Sequence, residues 1–255
     1  MSRPEIYSPE GLRIDGRRWN EVRHIKCAIN THPASSDGSS IIEQGNTKVM
    51  CNVVGPAEPT SSSGGGGAKS NTNSFANENK VTLSVKATVA PFSTIDRRKR
   101  SGNDSRIQEM CLTIQHIFEE AVMGHLQPRS QIVISLYILA QDGGMLQACI
   151  NAASLALIDA GIPMYDYVCA CTAGMHDTEV LLDLNRLEEN DMPFLTMATL
   201  GATRKVSLMQ LETRVGVDKL EPMMAAAMSG CHYLRQIMDA QVRKHGKNRL
   251  ARVGA

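Results

Sequence analysis

The chain has 255 residues, 42% of them apolar and 21% charged, with a formal net charge of +1. This composition fits a globular domain and excludes a disordered polyelectrolyte. A chain-wide positive field is excluded too, so any contact with nucleic acid must come from a local basic patch.

The opening "MSRPEIYSPEG" lacks the apolar segment of a secretory signal, and no run of 18 apolar residues predicts a membrane span. Residues 39–54 read as a hairpin, with Gly45-Asn46 as the turn between two β-rich arms. The Ser/Gly/Asn-rich stretch at about 58–80 has no periodicity and predicts a flexible surface loop. Its four glycines lack the Gly-Lys-Ser/Thr ending of a phosphate loop. Residues 81–89 alternate without a break and predict a half-exposed strand. A basic cluster follows, and a helix capped by Asn103 or Asp104 begins. Its apolar stripe is Ile107, Met110, Ile114, Ile117 and Ala121, and Gly124 and Pro128 close it.

The β-branched run 131–139 predicts a buried strand. The Ala-rich helix from about 144 to 160 is apolar nearly all round and so belongs in the middle of the molecule, ending at Gly161. Strands are predicted at 165–172, 194–200 and 204–211, and a final helix at about 217–245. The order describes an α+β protein with mixed sheets, two similar halves meeting around buried helices. Seven cysteines, most within apolar runs, favour reduced core thiols and a cytosolic or nuclear setting. Cys169 and Cys171, with His176 nearby, carry ligand chemistry. Period-2 alternation instead places the two thiols on one strand face, so no metal and no cofactor is expected.

Four features carry candidate chemistry. The cluster Arg97, Arg98, Lys99, Arg100 and Arg106 at a helix start suits a polyanion, because arginine pairs with phosphate by charge-assisted forks. Its alternative is a solvated loop partnered by Asp96 and Asp104. The run Asp183, Glu188, Glu189 and Asp191 suits Mg²⁺ or acid catalysis, or is a polar loop between two strands. The turn Asp142-Gly143-Gly144, between strand and helix, can present amides to an anion, but Met145 and Leu146 follow it. From Arg243 to the end, Arg243, Lys244, Lys247, Arg249 and Arg252 occur with no acid, which suggests a mobile basic tail.

Taken in order, "GLRIDGRRWNEVR", "EQGNTKVMCNVVGP", the basic loop, "QDGGMLQACINAASLALIDAGIP" and "LLDLNRLEEN" resemble the RNase PH family from Ser8 to His245. The most specific parts are Arg13-x-Asp15-Gly16-Arg17 and Asp142-Gly143-Gly144. The resemblance is strongest to the members that build the ring of the RNA exosome. It implies one RNase PH-like unit over residues 1–255, with a core of about 8–245. It also implies two related βα halves and a six-membered ring around an RNA channel.

In active relatives, phosphate attacks the 3′-terminal phosphodiester, held by a hydroxyl residue and an arginine after Asp-Gly-Gly. Here those positions are Met145 and Leu146. Each lost contact to a charged group is worth about 1.5–3 kcal/mol. The resemblance therefore implies a degenerate site near Gly143, Gly144, Met145, Leu146 and Asp191, with RNA held by Arg97–Arg100 and Arg106. Implied partners are other RNase PH-like ring subunits, RNA-binding cap subunits, a separate catalytic nuclease and single-stranded RNA, with no membrane. The implied setting is nucleus, nucleolus included, and cytoplasm. An active exoribonuclease using Asp191 and a scaffold without RNA contact are the competing expectations.

Overall fold

Period-2 alternation builds the first half of the molecule as one sheet. The computed structural model of the chain describes residues 8, 11–58, 81–94, 97, 104–176, 179–201 and 205–253. Arg98, Lys99, Arg100 and nearly all of the expected 58–80 loop lie outside the described residues.

The first sheet contains β1 (Ile25–Ile29), β2 (Gly38–Gln44), β3 (Thr47–Ala57), β4 (Thr82–Val89) and β5 (Gln131–Ala140), in the order β1-β2-β3-β5-β4. Among the described pairs of this sheet only β4 and β5 are parallel, and the crossover between them carries α1 (Ser105–Ala121). The expected hairpin is β2 and β3, closed by Gly45 at φ 56° and Asn46. The α1 stripe Ile107, Met110, Ile114, Ile117 and Ala121 is buried as expected. Its cap is Asp104, whose carboxylate accepts from the Arg106 amide at 3.4 Å.

The second sheet contains β6 (Val168–His176), β7 (Glu179–Leu182), β8 (Phe194–Leu200) and β9 (Lys205–Leu211), ordered β7-β6-β8-β9 and antiparallel throughout its described pairs. Between the sheets runs α2 (Met145–Asp159), and small residues on both its faces let the two sheets close in on it. The Ser40 hydroxyl donates to the Ala152 carbonyl at 2.7 Å from the first sheet. Toward the second sheet, Ser154 donates to Val168 at 2.7 Å, and the Asn151 amide exchanges bonds with both backbone groups of Ala170. The outer face of the second sheet is covered by α4 (Val217–Val253), through Ala227, Cys231, Leu234 and Met238. The molecule is thus layered sheet, helix, sheet, helix.

Three expectations need correction. The acidic run is not simply a loop, because Arg186–Asp191 form a short helix, α3. The strand expected at 165–172 begins at Val168 and extends to His176. The basic end is not a tail: α4 continues to Val253, since Arg, Lys, Leu and Ala propagate a helix already begun, past Gly246 and Asn248. Cys169 and Cys171 are buried in β6, where desolvation raises both thiols well above their ordinary pKa.

Candidate functional site

The turn between β5 and α2 is the centre of the expected site. Gly143 and Gly144 adopt φ 79° and 62°, so both occupy the left-handed region that disfavours a side chain. A Cβ on Gly143 would meet the Leu184 carbonyl at 2.5 Å, and one on Gly144 would meet the Arg23 guanidinium at 2.7 Å. Backbone packing therefore requires Gly143, and its left-handed φ favours glycine at 144, whatever the turn binds.

Arg23 organises the surroundings, and nothing local in the sequence marks it as a site residue. Its Nη1 donates to the Asp142 carbonyl at 2.6 Å, and its Nη2 to Asp183 Oδ1 at 2.7 Å. Its own amide donates to the other Asp183 oxygen at 2.8 Å. Gln147 completes the pair, donating to Asp183 Oδ1 at 2.6 Å and accepting from the Thr172 amide at 2.6 Å. Thr47 accepts from the Asp142 amide at 3.1 Å and donates to the Gly143 carbonyl at 2.7 Å. Burial alone would raise the Asp183 carboxyl, but Arg23 beside it holds it below the usual range. Desolvation likewise opposes charge on Arg23, and Asp183 outweighs it. Asp183 is thus spent on an internal ion pair.

The α2 N-terminus offers one amide of particular interest, and that amide is occupied. Gly144 N–H donates to Glu189 Oε1 at 2.6 Å. Glu189 reaches it from α3, and burial pushes its carboxyl up despite the amide. Asp191, two residues further, is exposed at the end of α3; residues so spaced on a helix do not share a face. Met145 and Leu146 are half-buried and pack against the main core, as an apolar first turn of α2 must.

The Arg13-x-Asp15-Gly16-Arg17 segment holds α3 in place. Arg13 is buried and pairs with Glu188 through two guanidinium nitrogens, one at 2.7 Å, while also donating to the Leu182 and Asp183 carbonyls. Arg17 donates to the Asp183 carbonyl at 3.0 Å and to Asn185 at 3.2 Å. Asn185 and Glu188 form a capping box at the start of α3, a pattern visible in the sequence as Asn-x-x-Glu.

The basic segment is placed differently. Parallel pairing sets the C-terminal ends of β4 and β5 side by side, and the Gln141 amide donates to Ser93 at 3.1 Å. The chain leaving β4 toward Arg97 therefore starts beside the strand end that carries Asp142. Arg97 is exposed at φ 43°, and Arg106 is exposed in the first turn of α1. Unlike the turn, this segment is open to solvent where it is described.

Comparison with known proteins bears on the family and the fold. Residues 21–163 match the 3′ exoribonuclease family, domain 1, and residues 166–230 match its domain 2. Exosome complex component ski6 of Schizosaccharomyces pombe is 47% identical, over 98% of this chain and 99% of that protein. Exosome complex component SKI6 of Saccharomyces cerevisiae is 43% identical over all of both chains. Exosome complex component RRP41 of Homo sapiens is 39% identical over 96% of each. Rice (Oryza sativa) Rrp46 superimposes with a TM-score of 0.77 at 21% identity, covering 91% of this chain and 100% of that one. A chain of the Archaeoglobus fulgidus exosome with RNA bound to the active site gives 0.73 at 20% identity, covering 89% and 92%. At these identities the two structures establish the fold alone.

Proposed function

The chain belongs to the 3′ exoribonuclease, or RNase PH, family, and we propose that as an exosome ring subunit it holds RNA without cleaving it. Near full-length identity to exosome components supports membership of that ring. The partners are other RNase PH-like subunits, RNA-binding cap subunits and a separate nuclease that cuts the RNA. Nucleus, nucleolus and cytoplasm are the compartments such an assembly occupies.

The observation that carries the non-catalytic part is the Gly144–Glu189 bond. An attacking phosphate needs N–H groups and a cation aimed at one place. Here the Gly144 amide serves Glu189, Arg23 serves Asp183, and the two helical positions that follow are Met145 and Leu146. An arriving dianion would be desolvated beside apolar side chains and a carboxylate. RNA binding uses another surface: Arg97 and Arg106 are exposed, and Arg98, Lys99 and Arg100 adjoin them in sequence. Backbone phosphates are held there by charge, without base readout.

The test is incubation of end-labelled RNA and inorganic phosphate with the purified chain, alone and with its ring partners. No phosphate-dependent release of nucleoside diphosphate is expected; such release would overturn the non-catalytic assignment. Reversing the charge of Arg97, Arg98 and Arg106 in the assembled ring should weaken RNA binding and flatten its salt dependence. Unchanged protection of RNA would leave only a scaffold.

A further inference from the structure

At the opposite end of α2 from the glycine turn lies an open cleft, bounded by the turn 161–167 and by Arg235, Asp239 and Arg243 of α4. Its volume is about 440 Å³, within the range of ligand sites. The side chains that matter are Tyr165, Asp166, Tyr167, Arg235, Asp239 and Arg243. Tyr165 is 59% exposed, a large aromatic surface left in water. Burial, with Asp239 and Asp166 nearby, raises the Tyr167 hydroxyl, which stays a neutral donor.

Arg235, Asp239, Arg243 and Lys247 are spaced by four residues and so follow one ridge of α4, rising about 6 Å per step. Arg235 is paired with Asp166 at 3.1 Å and Arg243 with Asp239 at 2.9 Å. Arg249 lies 3.9 Å from Asp159. On the ridge itself Arg235, Arg243 and Lys247 stand against Asp166 and Asp239, with Lys244 flanking it, so the ridge carries a small excess of cations. The Arg243–Asp239 pair is exposed, and pairs of that kind exchange partners at little cost. A cationic ridge leading from an aromatic-lined cleft suits a polyanion whose units carry flat faces.

We propose that this cleft and ridge form a second contact for single-stranded RNA, with one base stacked on Tyr165 and successive phosphates along Arg243 and Lys247. The proposal rests on the chain being an RNA-contacting subunit, and adds a surface at the far end of α2 from the basic segment at α1. Stacking accepts any base, so the contact is indifferent to sequence.

The test uses the assembled complex and a labelled single-stranded oligoribonucleotide, with R243E/K247E, Y165A and R106E measured in parallel and thermal midpoints as a folding control. For R243E/K247E, affinity should fall and the slope of log affinity against log salt should shrink by about 1.4, two single-strand phosphates. Y165A should lose affinity about fivefold or more. Weakening by R106E alone, with R243E/K247E and Y165A at wild-type affinity and slope, overturns this second contact and leaves the first intact. Unchanged binding in all three overturns both. If R243E/K247E binds RNA normally but fails to enter the complex, the cleft is a protein-docking surface and the proposal is wrong.

Discussion

The glycine turn and the basic segment leave neighbouring strand ends, yet they have opposite electrostatic economies. At the turn, charged and polar groups are paired within the chain: Arg23 Nη2 with Asp183, Thr47 with Gly143 and Gly144 with Glu189, leaving the buried Arg23 Nε without a hydrogen-bond partner among the described residues. In the basic segment, Arg97 and, in the first turn of α1, Arg106 are exposed to solvent. A group already satisfied inside the fold has little left for a ligand, whereas an exposed cation keeps its full capacity. Stability and RNA binding should therefore separate cleanly between the two regions.

The largest effect should come from Arg23→Ala. It leaves Asp183 buried and unpaired, a loss of about 3–5 kcal/mol that chemical denaturation would measure. A variant as stable as the wild type would mean that the turn is not closed by this pair. Next comes Gly143→Ala, which forces a Cβ against the Leu184 carbonyl at a positive φ. About 1–3 kcal/mol should be lost, read as a lowered thermal midpoint.

Glu189→Gln should have a smaller effect that depends on pH. Burial raises the Glu189 carboxyl above its ordinary value of 4.5, so the folded chain prefers it protonated. Its contribution to stability is complete below that ordinary value and is lost as pH rises through the folded-state value. The glutamine keeps an acceptor for Gly144 without the charge, so its stability relative to wild type should climb across that window. A flat difference in parallel melts would show that Glu189 is not desolvated there. Smallest for stability is Arg106→Glu, within about 0.5 kcal/mol of wild type. Its RNA salt slope should nevertheless drop by about 0.7, one single-strand phosphate contact.

Much of this frame is legible in the sequence because it is local. The α1 stripe, the Gly45-Asn46 hairpin and the small-residue α2 declare themselves through periodicity and turn chemistry. β1 and β7 do not, since five- and four-residue edge strands have too few alternations to register. α3 is six residues long, and only its Asn185-x-x-Glu188 box announces it. The chain past Arg243 reads as a tail because charge suggests disorder, yet it lengthens a helix that begins at Val217 and is packed through Ala227, Cys231, Leu234 and Met238. The closing of the turn was least legible. Arg23 and Asp183 stand 160 residues apart, and nothing local in either segment points to the other. The loss of anion-holding side chains at Met145 and Leu146 is visible in the sequence, but their replacement by an internal carboxylate is a tertiary fact.

The most direct test follows the backbone amides of Gly143, Gly144, Met145 and Leu146 by NMR while inorganic phosphate is titrated into the folded chain. With the turn already filled by Glu189, their resonances should show no saturable shift. A shift of Gly144 that saturates with phosphate would contradict the account, because it would place a free anion where the chain's own carboxylate is bound.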